Sequence, residues 1–160
     1  MRIVVWLAEG TWPAAVDAAR GHAPAGADVV LLHVLDPALA AGIGGAHAGL
    51  LGRARRGRDP VAAATDAAET AERDLFDAAA ARLDRPATRV ALRGRAERAV
   101  TAASEGADLL IVVRDGDRSR LGPRSLAPST RFVVDHAACP VLLVWPAEPP
   151  GLGTVPPPPV

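Results

Sequence analysis

Four residue types are missing from this sequence: lysine, asparagine, glutamine and tyrosine. All 18 basic residues are therefore arginines. Without lysine, the chain has no P-loop lysine for phosphate and no amine for a Schiff base, and without tyrosine it has no phenolic acid. The codon bias of a GC-rich genome explains these absences, together with the many Ala, Arg and Pro residues, without a functional cause.

Cysteine is nearly absent too. The single Cys139 excludes an internal disulfide and a cysteine-ligated zinc cluster, and no two histidines have zinc-ligand spacing. The net charge of +0 provides no field that would attract nucleic acid or a membrane surface. Apolar runs are far shorter than the ~20 residues that cross a bilayer, and Met1–Leu7 lacks a signal-peptide cleavage site. We therefore expect a cytoplasmic protein with no nucleic-acid partner and no membrane partner.

Apolar segments of strand length alternate with stretches of helical periodicity. The predicted strands are Ile3–Leu7, Val29–Leu35, Arg89–Leu92, Leu109–Val113 and Val141–Trp145. The predicted helices cover 11–22, 60–83 with Asp59 as its N-cap, 96–103 and 129–136. Because strands separated by helices pair in parallel, the pattern predicts an α/β fold. We expect a five-stranded, doubly wound, Rossmann-like parallel sheet with helices on both faces.

The predicted strand order also locates a ligand site. In doubly wound sheets, ligands bind at the carboxyl ends of the strands where the strand order reverses. That point is expected between the first and fourth strands, so the loops after Leu7 and Val113 should meet there. Residues 1–146 are predicted to form one domain, and the Pro- and Gly-rich residues 147–160 a disordered tail.

Four segments resemble, in order, those of the universal stress protein family. They are Glu9-Gly10-Thr11, Leu31–Pro37, Ala107–Val113 and Ser129–Val144, the last containing HAACPVLLV. The resemblance covers roughly residues 2–146. It implies an adenine-nucleotide α-hydrolase-like fold and a homodimer that pairs its C-terminal strands, here Val141–Trp145.

The loop that binds ATP in members of that family is altered in this chain. The family pattern is Gly-x-x-Gly, nine residues, then Gly followed by Ser or Thr, and its glycines let phosphate approach the backbone. Counting back from Cys139-Pro140, the corresponding positions hold Arg114, Asp117, Ala127 and Pro128. Counting forward from Asp108 places Gly116 at the second glycine. We expect weak binding of ATP with Mg²⁺ at most, because a non-glycine residue in a left-handed conformation costs roughly 1–2 kcal/mol.

The resemblance also names candidate nucleotide-binding residues, whereas no residue is assigned a catalytic or metal-binding role. Glu9 stands where the family often has Asp, Val34 offers its backbone, and the start of the last helix offers free N–H groups. The full set is Glu9, Gly10, Thr11, Val34, Arg114, Gly116, Ser129 and Thr130.

Two arginine-rich segments allow alternative interpretations. The arginines within residues 114–124 could grip phosphate through their guanidinium groups, or they could simply charge a surface loop, since Asp115 and Asp117 oppose an anion. The arginines within residues 53–58 could contact nucleic acid or ligand phosphates, but without interleaved aromatic residues a solvated loop is favoured.

Function is left with alternatives. The first is a stress-response or regulatory homodimer that acts by binding, with weak nucleotide affinity at most and an unknown protein partner. The second is a genuine ATP or AMP binder with slow or no hydrolysis. The third is an interaction module that no longer binds nucleotide.

Overall fold

The computed structural model describes residues 1–36 and 60–157. Strands and helices alternate along these residues. Their bounds are β1 Arg2–Trp6, α1 Trp12–His22, β2 Asp28–Leu35, α2 Pro60–Leu83, β3 Thr88–Arg93, α3 Ala96–Ala103, β4 Leu109–Val113, α4 Pro128–His136 and β5 Val141–Val144. Two short 3-10 helices cover Pro123–Ser125 and Leu152–Thr154.

The strands form one all-parallel sheet in the order β3-β2-β1-β4-β5. Val5 of β1 is in register with Leu31 of β2 on one side and with Ile111 of β4 on the other. The strand order therefore reverses between β1 and β4. The predicted five-stranded, doubly wound α/β fold is confirmed, with its switch point where the sequence pattern placed it.

Helices cover both faces of the sheet. Ile3 and Val5 of β1 pack in a cluster with residues of α1 and α2, whereas Val4 and Trp6 pack in a second cluster with Val100 of α3. Because successive side chains of a strand point to opposite faces, a strand covered on both faces has to be apolar throughout. This requirement explains the apolar runs Ile3–Trp6 of β1, Val29–Leu32 of β2 and Leu109–Val113 of β4.

Several element ends differ from the prediction by one residue: β1 ends at Trp6, so Leu7 lies outside it, α1 begins at Trp12, β2 begins at Asp28, and β3 covers Thr88–Arg93. Helix α4 begins at Pro128, one residue early, because the fixed φ of proline suits the first helical turn. Strand β5 ends at Val144, so Trp145 lies outside it, contrary to the prediction. The carbonyl of Val144 accepts a hydrogen bond from the N–H of Arg114 (2.9 Å), and the Trp145 ring instead lies against the Arg114 guanidinium.

A buried polar network fastens α2 to the sheet. Glu72 of α2 is 9% exposed and His33 of β2 is 5% exposed, and Glu72 Oε1 lies 2.7 Å from His33 Nδ1. Arg93 of β3 donates to both Glu72 carboxylate oxygens, at 2.8 and 2.7 Å. These bonds lower the pKa of Glu72, chiefly through Arg93; burial opposes the shift and the bond from His33 adds to it. Glu72 is therefore ionised at neutral pH.

Some sequence-based predictions concern residues outside the described ranges. These are the Asp59 N-cap and the arginines within residues 53–58. The domain boundary at residue 146 and the disordered tail stay predictions. Within that tail, the described residues include the 3-10 helix Leu152–Thr154.

Candidate functional site

The carboxyl ends of β1 and β2 carry four of the candidate residues. Gly10 has a φ of +75°, a conformation that favours glycine, and it lies in the turn that leads into α1. The turn is closed by the carbonyl of Ala8, which accepts hydrogen bonds from Thr11 N–H (3.2 Å) and Trp12 N–H (2.9 Å). Glu9 is exposed, Thr11 is buried, and Val34 is half-buried near the end of β2.

The segment that joins β4 to α4, residues 114–127, folds back on itself and is called the β4–α4 loop below. The N–H of Gly116 donates to the carbonyl of Ser125 (3.0 Å), and the N–H of Asp117 donates to that of Arg124 (2.8 Å). A Cβ on Gly116 would clash with the Arg124 carbonyl and would lie 2.9 Å from the carbonyl carbon of Leu126. Glycine is therefore needed at this position so that the two halves of the loop can approach each other.

Asp115 occupies the amino-terminal end of α4. Its Oδ1 accepts the backbone N–H of Ala127 (2.9 Å), and its Oδ2 accepts the hydroxyl of Thr130 (2.7 Å). A carboxylate at this end of a helix is favoured by unpaired N–H groups and by the helix dipole. Asp115 is thus an internal anion at the helix start, where the family resemblance implies the phosphate site.

Arg114 is directed into the same loop. Its Nη1 donates to the Ser125 hydroxyl, and its guanidinium carbon lies 4.8 Å from the centroid of the Trp145 ring, a cation–π contact. The Ser125 hydroxyl in turn donates to the Gly122 carbonyl (2.6 Å). The guanidinium therefore braces the loop against the residue that follows β5.

Asp117 adds a second negative charge to the loop. Its side chain accepts hydrogen bonds from the Ser119 hydroxyl (2.6 Å) and the Ser119 N–H (2.9 Å), and these bonds lower the pKa of Asp117. Arg120 Nε lies 3.7 Å from Asp117 Oδ2. The arginine-rich segment is therefore a mixed-charge surface in which carboxylates already face guanidinium groups.

Several donors that a phosphate would use at the β4–α4 loop are bonded within the protein. A phosphate at the start of α4 would compete with the Asp115 carboxylate for the same donors and would be repelled by it. The N–H groups of Gly116 and Asp117, which a phosphate-binding loop would present to its ligand, are bonded within the loop.

Neither a membrane-spanning helix nor a metal-binding cluster is present among the described residues. Among residues 1–36 and 60–157, no helix is both long and apolar enough to cross a membrane. Within the same ranges, no group of three or more His, Cys, Asp or Glu side chains is placed to hold a metal ion.

The topology brings the candidate residues to the end of the sheet at which the strands have their carboxyl termini, in two groups. Arg114, Gly116, Ser129 and Thr130 belong to the single unit formed by the β4–α4 loop and α4. Glu9, Gly10, Thr11 and Val34 lie at the ends of the adjoining strands β1 and β2. A role for any of the eight in nucleotide binding stays a prediction.

Sequence reasoning missed the structural roles of Asp115, Ser125 and Trp145. From the sequence alone, Asp115 is expected only to oppose an anion, and Trp145 only to belong to a strand. The Asp115 contacts lie 12 and 15 residues along the chain, beyond the spacing of any local capping motif. The two aspartates of this arginine-rich loop, Asp115 and Asp117, are the sequence signal that points to an internal anion.

Comparisons with known proteins agree on the family. The family model described as the universal stress protein family matches residues 2–144. A universal stress protein in complex with cAMP superposes with a TM-score of 0.57 at 21% identity, over 92% of this chain and 98% of that one. An Arabidopsis thaliana protein of the same family, with AMP bound, gives 0.58 at 13% identity, over 98% and 95%.

A third solved structure, a hypothetical protein whose biochemical function was assigned from its structure, gives a TM-score of 0.63 at 18% identity, over 90% of this chain and 94% of that one. No curated protein matches the chain. Since the family model covers nearly the whole of the folded sheet and its helices, the chain belongs to the universal stress protein family.

Proposed function

We propose that this protein is a cytoplasmic stress-response or regulatory homodimer that acts by binding a protein partner and that binds nucleotide weakly at most. The observation that carries this proposal is the Asp115 carboxylate at the start of α4, bonded to Ala127 and Thr130. A protein that relied on ATP would leave those donors free for phosphate. Here the chain supplies its own anion.

The arrangement of β5 supports the homodimer. β5 lies at one edge of the sheet and its four residues are half-buried. An apolar edge strand exposes unpaired N–H and C=O groups, and pairing with a second copy would satisfy them. The dimer is therefore proposed to form through Val141–Trp145.

The alternative is a genuine ATP or AMP binder. It is favoured by the two structural neighbours that carry cAMP and AMP. In that case the β4–α4 loop would have to release Asp115 from α4 when the ligand binds. This release is possible if a phosphate of the ligand takes the place of the Asp115 carboxylate at Ala127 and Thr130. The hydrogen bonds that Asp115 now makes would then be lost.

Isothermal titration with ATP and Mg²⁺, on wild type and two variants, tests the proposal. We expect no saturable heat below about 1 mM ATP from the wild type, and a gain in affinity of at least about tenfold in Asp115→Asn, since one opposing charge is removed. Asp135→Asn changes the net charge equally, but on the exposed surface of α4 near its carboxyl end, and should leave the affinity unchanged.

The titration separates the two functions. Micromolar binding by the wild type would overturn the proposal in favour of the nucleotide binder. Light scattering of the same samples tests the dimer, and a monomeric mass at micromolar concentration would contradict it.

A further inference from the structure

The segment that follows β5 returns to the β4–α4 loop. The backbone N–H of Leu121 donates a hydrogen bond to Oγ1 of Thr154 (3.0 Å). The ring of Pro156 packs beside Gly122: a Cβ placed on Gly122 would lie 3.8 Å from Pro156 Cδ, an ordinary van der Waals distance. The C-terminal segment therefore contacts two consecutive residues of the loop.

The position of Thr154 is determined by its own short helix. Thr154 ends the 3-10 helix Leu152–Thr154, and its hydroxyl donates to the carbonyl of Gly151 (2.8 Å) while it accepts from Leu121. Because the hydroxyl is used both as donor and as acceptor, its orientation is defined. The bond to Leu121 is thus more than an incidental surface contact.

The two contacted residues belong to the bonded part of the loop. Gly122, with a φ of +123°, precedes the 3-10 helix Pro123–Ser125, and its carbonyl accepts the Ser125 hydroxyl. The carbonyl of Ser125 accepts a hydrogen bond from the N–H of Gly116, and the hydroxyl of Ser125 accepts one from the Arg114 guanidinium. A continuous set of contacts therefore runs from Thr154 to the residues that start the loop.

Few contacts attach the outer side of this segment. Leu152 is 83% exposed and Val155 is 54% exposed, and they are among the most exposed large apolar side chains of the described residues. A segment with little buried apolar surface opens at low free-energy cost compared with the core of the sheet.

We propose that residues 146–157 form a strap that holds the β4–α4 loop in its self-bonded form and thereby limits the access of anionic ligands to the start of α4. The access part rests on the proposed function, in which the loop opposes nucleotide. The strap itself rests only on the contacts of Thr154 and Pro156. Release of the strap, for example by a partner that binds the exposed Leu152 and Val155, would loosen the loop.

Hydrogen exchange measured on full-length variants tests the strap. Thr154→Val keeps the shape of the side chain but removes the acceptor for Leu121, and loss of one hydrogen bond predicts about three- to tenfold faster exchange of amides 116–127. Thr154→Ser keeps the hydroxyl and should exchange like the wild type. Leu152→Ala changes an exposed side chain of the same segment and should also leave the loop unchanged.

The exchange rates show whether the strap holds the β4–α4 loop. Unchanged exchange of the loop in Thr154→Val, or equal acceleration in β1 and β4, would overturn it, because the contact would then be incidental or merely part of global stability. Faster exchange confined to the loop would support it.

ATP titration of Thr154→Val, beside Asp115→Asn, separates the strap from the proposed function. If both variants gain affinity, the strap controls access. If only Asp115→Asn gains, control by the strap is overturned and the proposed function stands. If Thr154→Val loosens the loop and Asp115→Asn still does not bind ATP, the strap does hold the loop. The proposal that the Asp115 carboxylate opposes nucleotide binding is then overturned.

Discussion

Gly116 shows how one residue type can serve two different purposes in the same loop. Counted forward from Asp108, it takes the place of a family glycine that lets phosphate approach the backbone. In the structure it allows the halves of the β4–α4 loop to approach each other, because a Cβ would meet the carbonyls of Arg124 and Leu126. Asp115, the preceding residue, directs its carboxylate to α4 instead of to solvent. At the residue scale, the loop is built for internal contacts.

Gly116→Ala should therefore destabilise the protein. The added methyl group cannot be accommodated without separating the loop halves, and overpacking of this kind costs about 2 kcal/mol. Urea unfolding followed by circular dichroism measures the change. Gly21→Ala is the control, because nothing lies within 4 Å of a Cβ there and alanine favours the helix α1. A Gly116→Ala protein as stable as the control would show that the loop has room to rearrange.

At the scale of single elements, the hydrogen-bond pattern of β5 shows which of its groups are free for pairing. The carbonyls of Pro140 and Val144 accept bonds from Leu110 and Arg114 and so face β4. Residues two apart in a strand direct their backbone N–H and C=O groups to the same side. The backbone groups of Leu142 therefore also face β4, whereas the N–H of Leu143 points to the open edge of the sheet. Leu143 is therefore the position at which edge pairing can be tested without breaking the pairing of β4 with β5.

Leu143→Pro should convert the proposed dimer to a folded monomer. Proline removes the outward N–H, while the bonds to β4 remain. Leu143→Ala is the matched control: it loses the same packing but keeps the N–H, and it should remain dimeric. Light scattering gives the mass and circular dichroism the fold. A dimeric Leu143→Pro protein would place the interface elsewhere.

Helix α2 depends on Glu72 for its polar attachment to β2 and β3. Hydrogen bonds from Arg93 and His33 hold the pKa of Glu72 below its usual value of 4.5, although burial opposes the shift. A carboxyl whose pKa is lowered on folding stabilises the folded state above its unfolded pKa, and this contribution disappears as the pH falls through the folded pKa. The relevant window therefore lies below about pH 4.5.

Glu72→Gln should lower the free energy of unfolding by about 2 kcal/mol at pH 7, because charge-assisted hydrogen bonds to a buried carboxylate are lost. The difference from wild type should shrink as the pH falls below 4.5. Urea titrations at pH 7 and at lower pH measure both effects. Asp77→Asn removes an exposed ion pair with Arg89 and should change stability little at either pH. A deficit independent of pH would mean that Glu72 acts by packing alone.

At the scale of the whole molecule, ligand affinity is linked to global stability. A ligand that binds only the folded state stabilises it by RT ln(1 + [L]/Kd), which is about 0.4 kcal/mol when the concentration equals Kd and about 4 kcal/mol at a thousandfold excess. Since the β4–α4 loop joins the interior strand β4 to α4, a ligand held there would stabilise the folded chain as a whole.

With 1 mM ATP and Mg²⁺, the wild type should therefore show a rise in Tm of no more than roughly 2 °C. A micromolar site would raise it by roughly 10 °C. Differential scanning calorimetry with 1 mM inorganic phosphate as the control separates nucleotide binding from a general effect of anions. A rise near the larger value would favour the nucleotide-binding alternative.

The sequence by itself determined the elements and their order. Apolar runs such as Val29–Leu32 and Leu109–Val113 are typical of strands covered on both faces, and their alternation with helices favours parallel pairing. The switch point between β1 and β4 follows from that order, so the edge of the sheet that carries the candidate residues could also be predicted. Local rules are sufficient here because each element is specified by neighbours in sequence.

Only the tertiary structure decided which partners the polar groups at that edge take. Asp115 meets Ala127 and Thr130, Arg114 meets Ser125 and Trp145, and Leu121 meets Thr154, all across separations of 11 to 33 residues. No local spacing rule reaches that far, since these bonds form only after the sheet has placed β4, α4 and β5 side by side. Whether a donor faces a ligand or a carboxylate of the same chain is therefore decided by the folded loop, and the residue types alone leave both outcomes open.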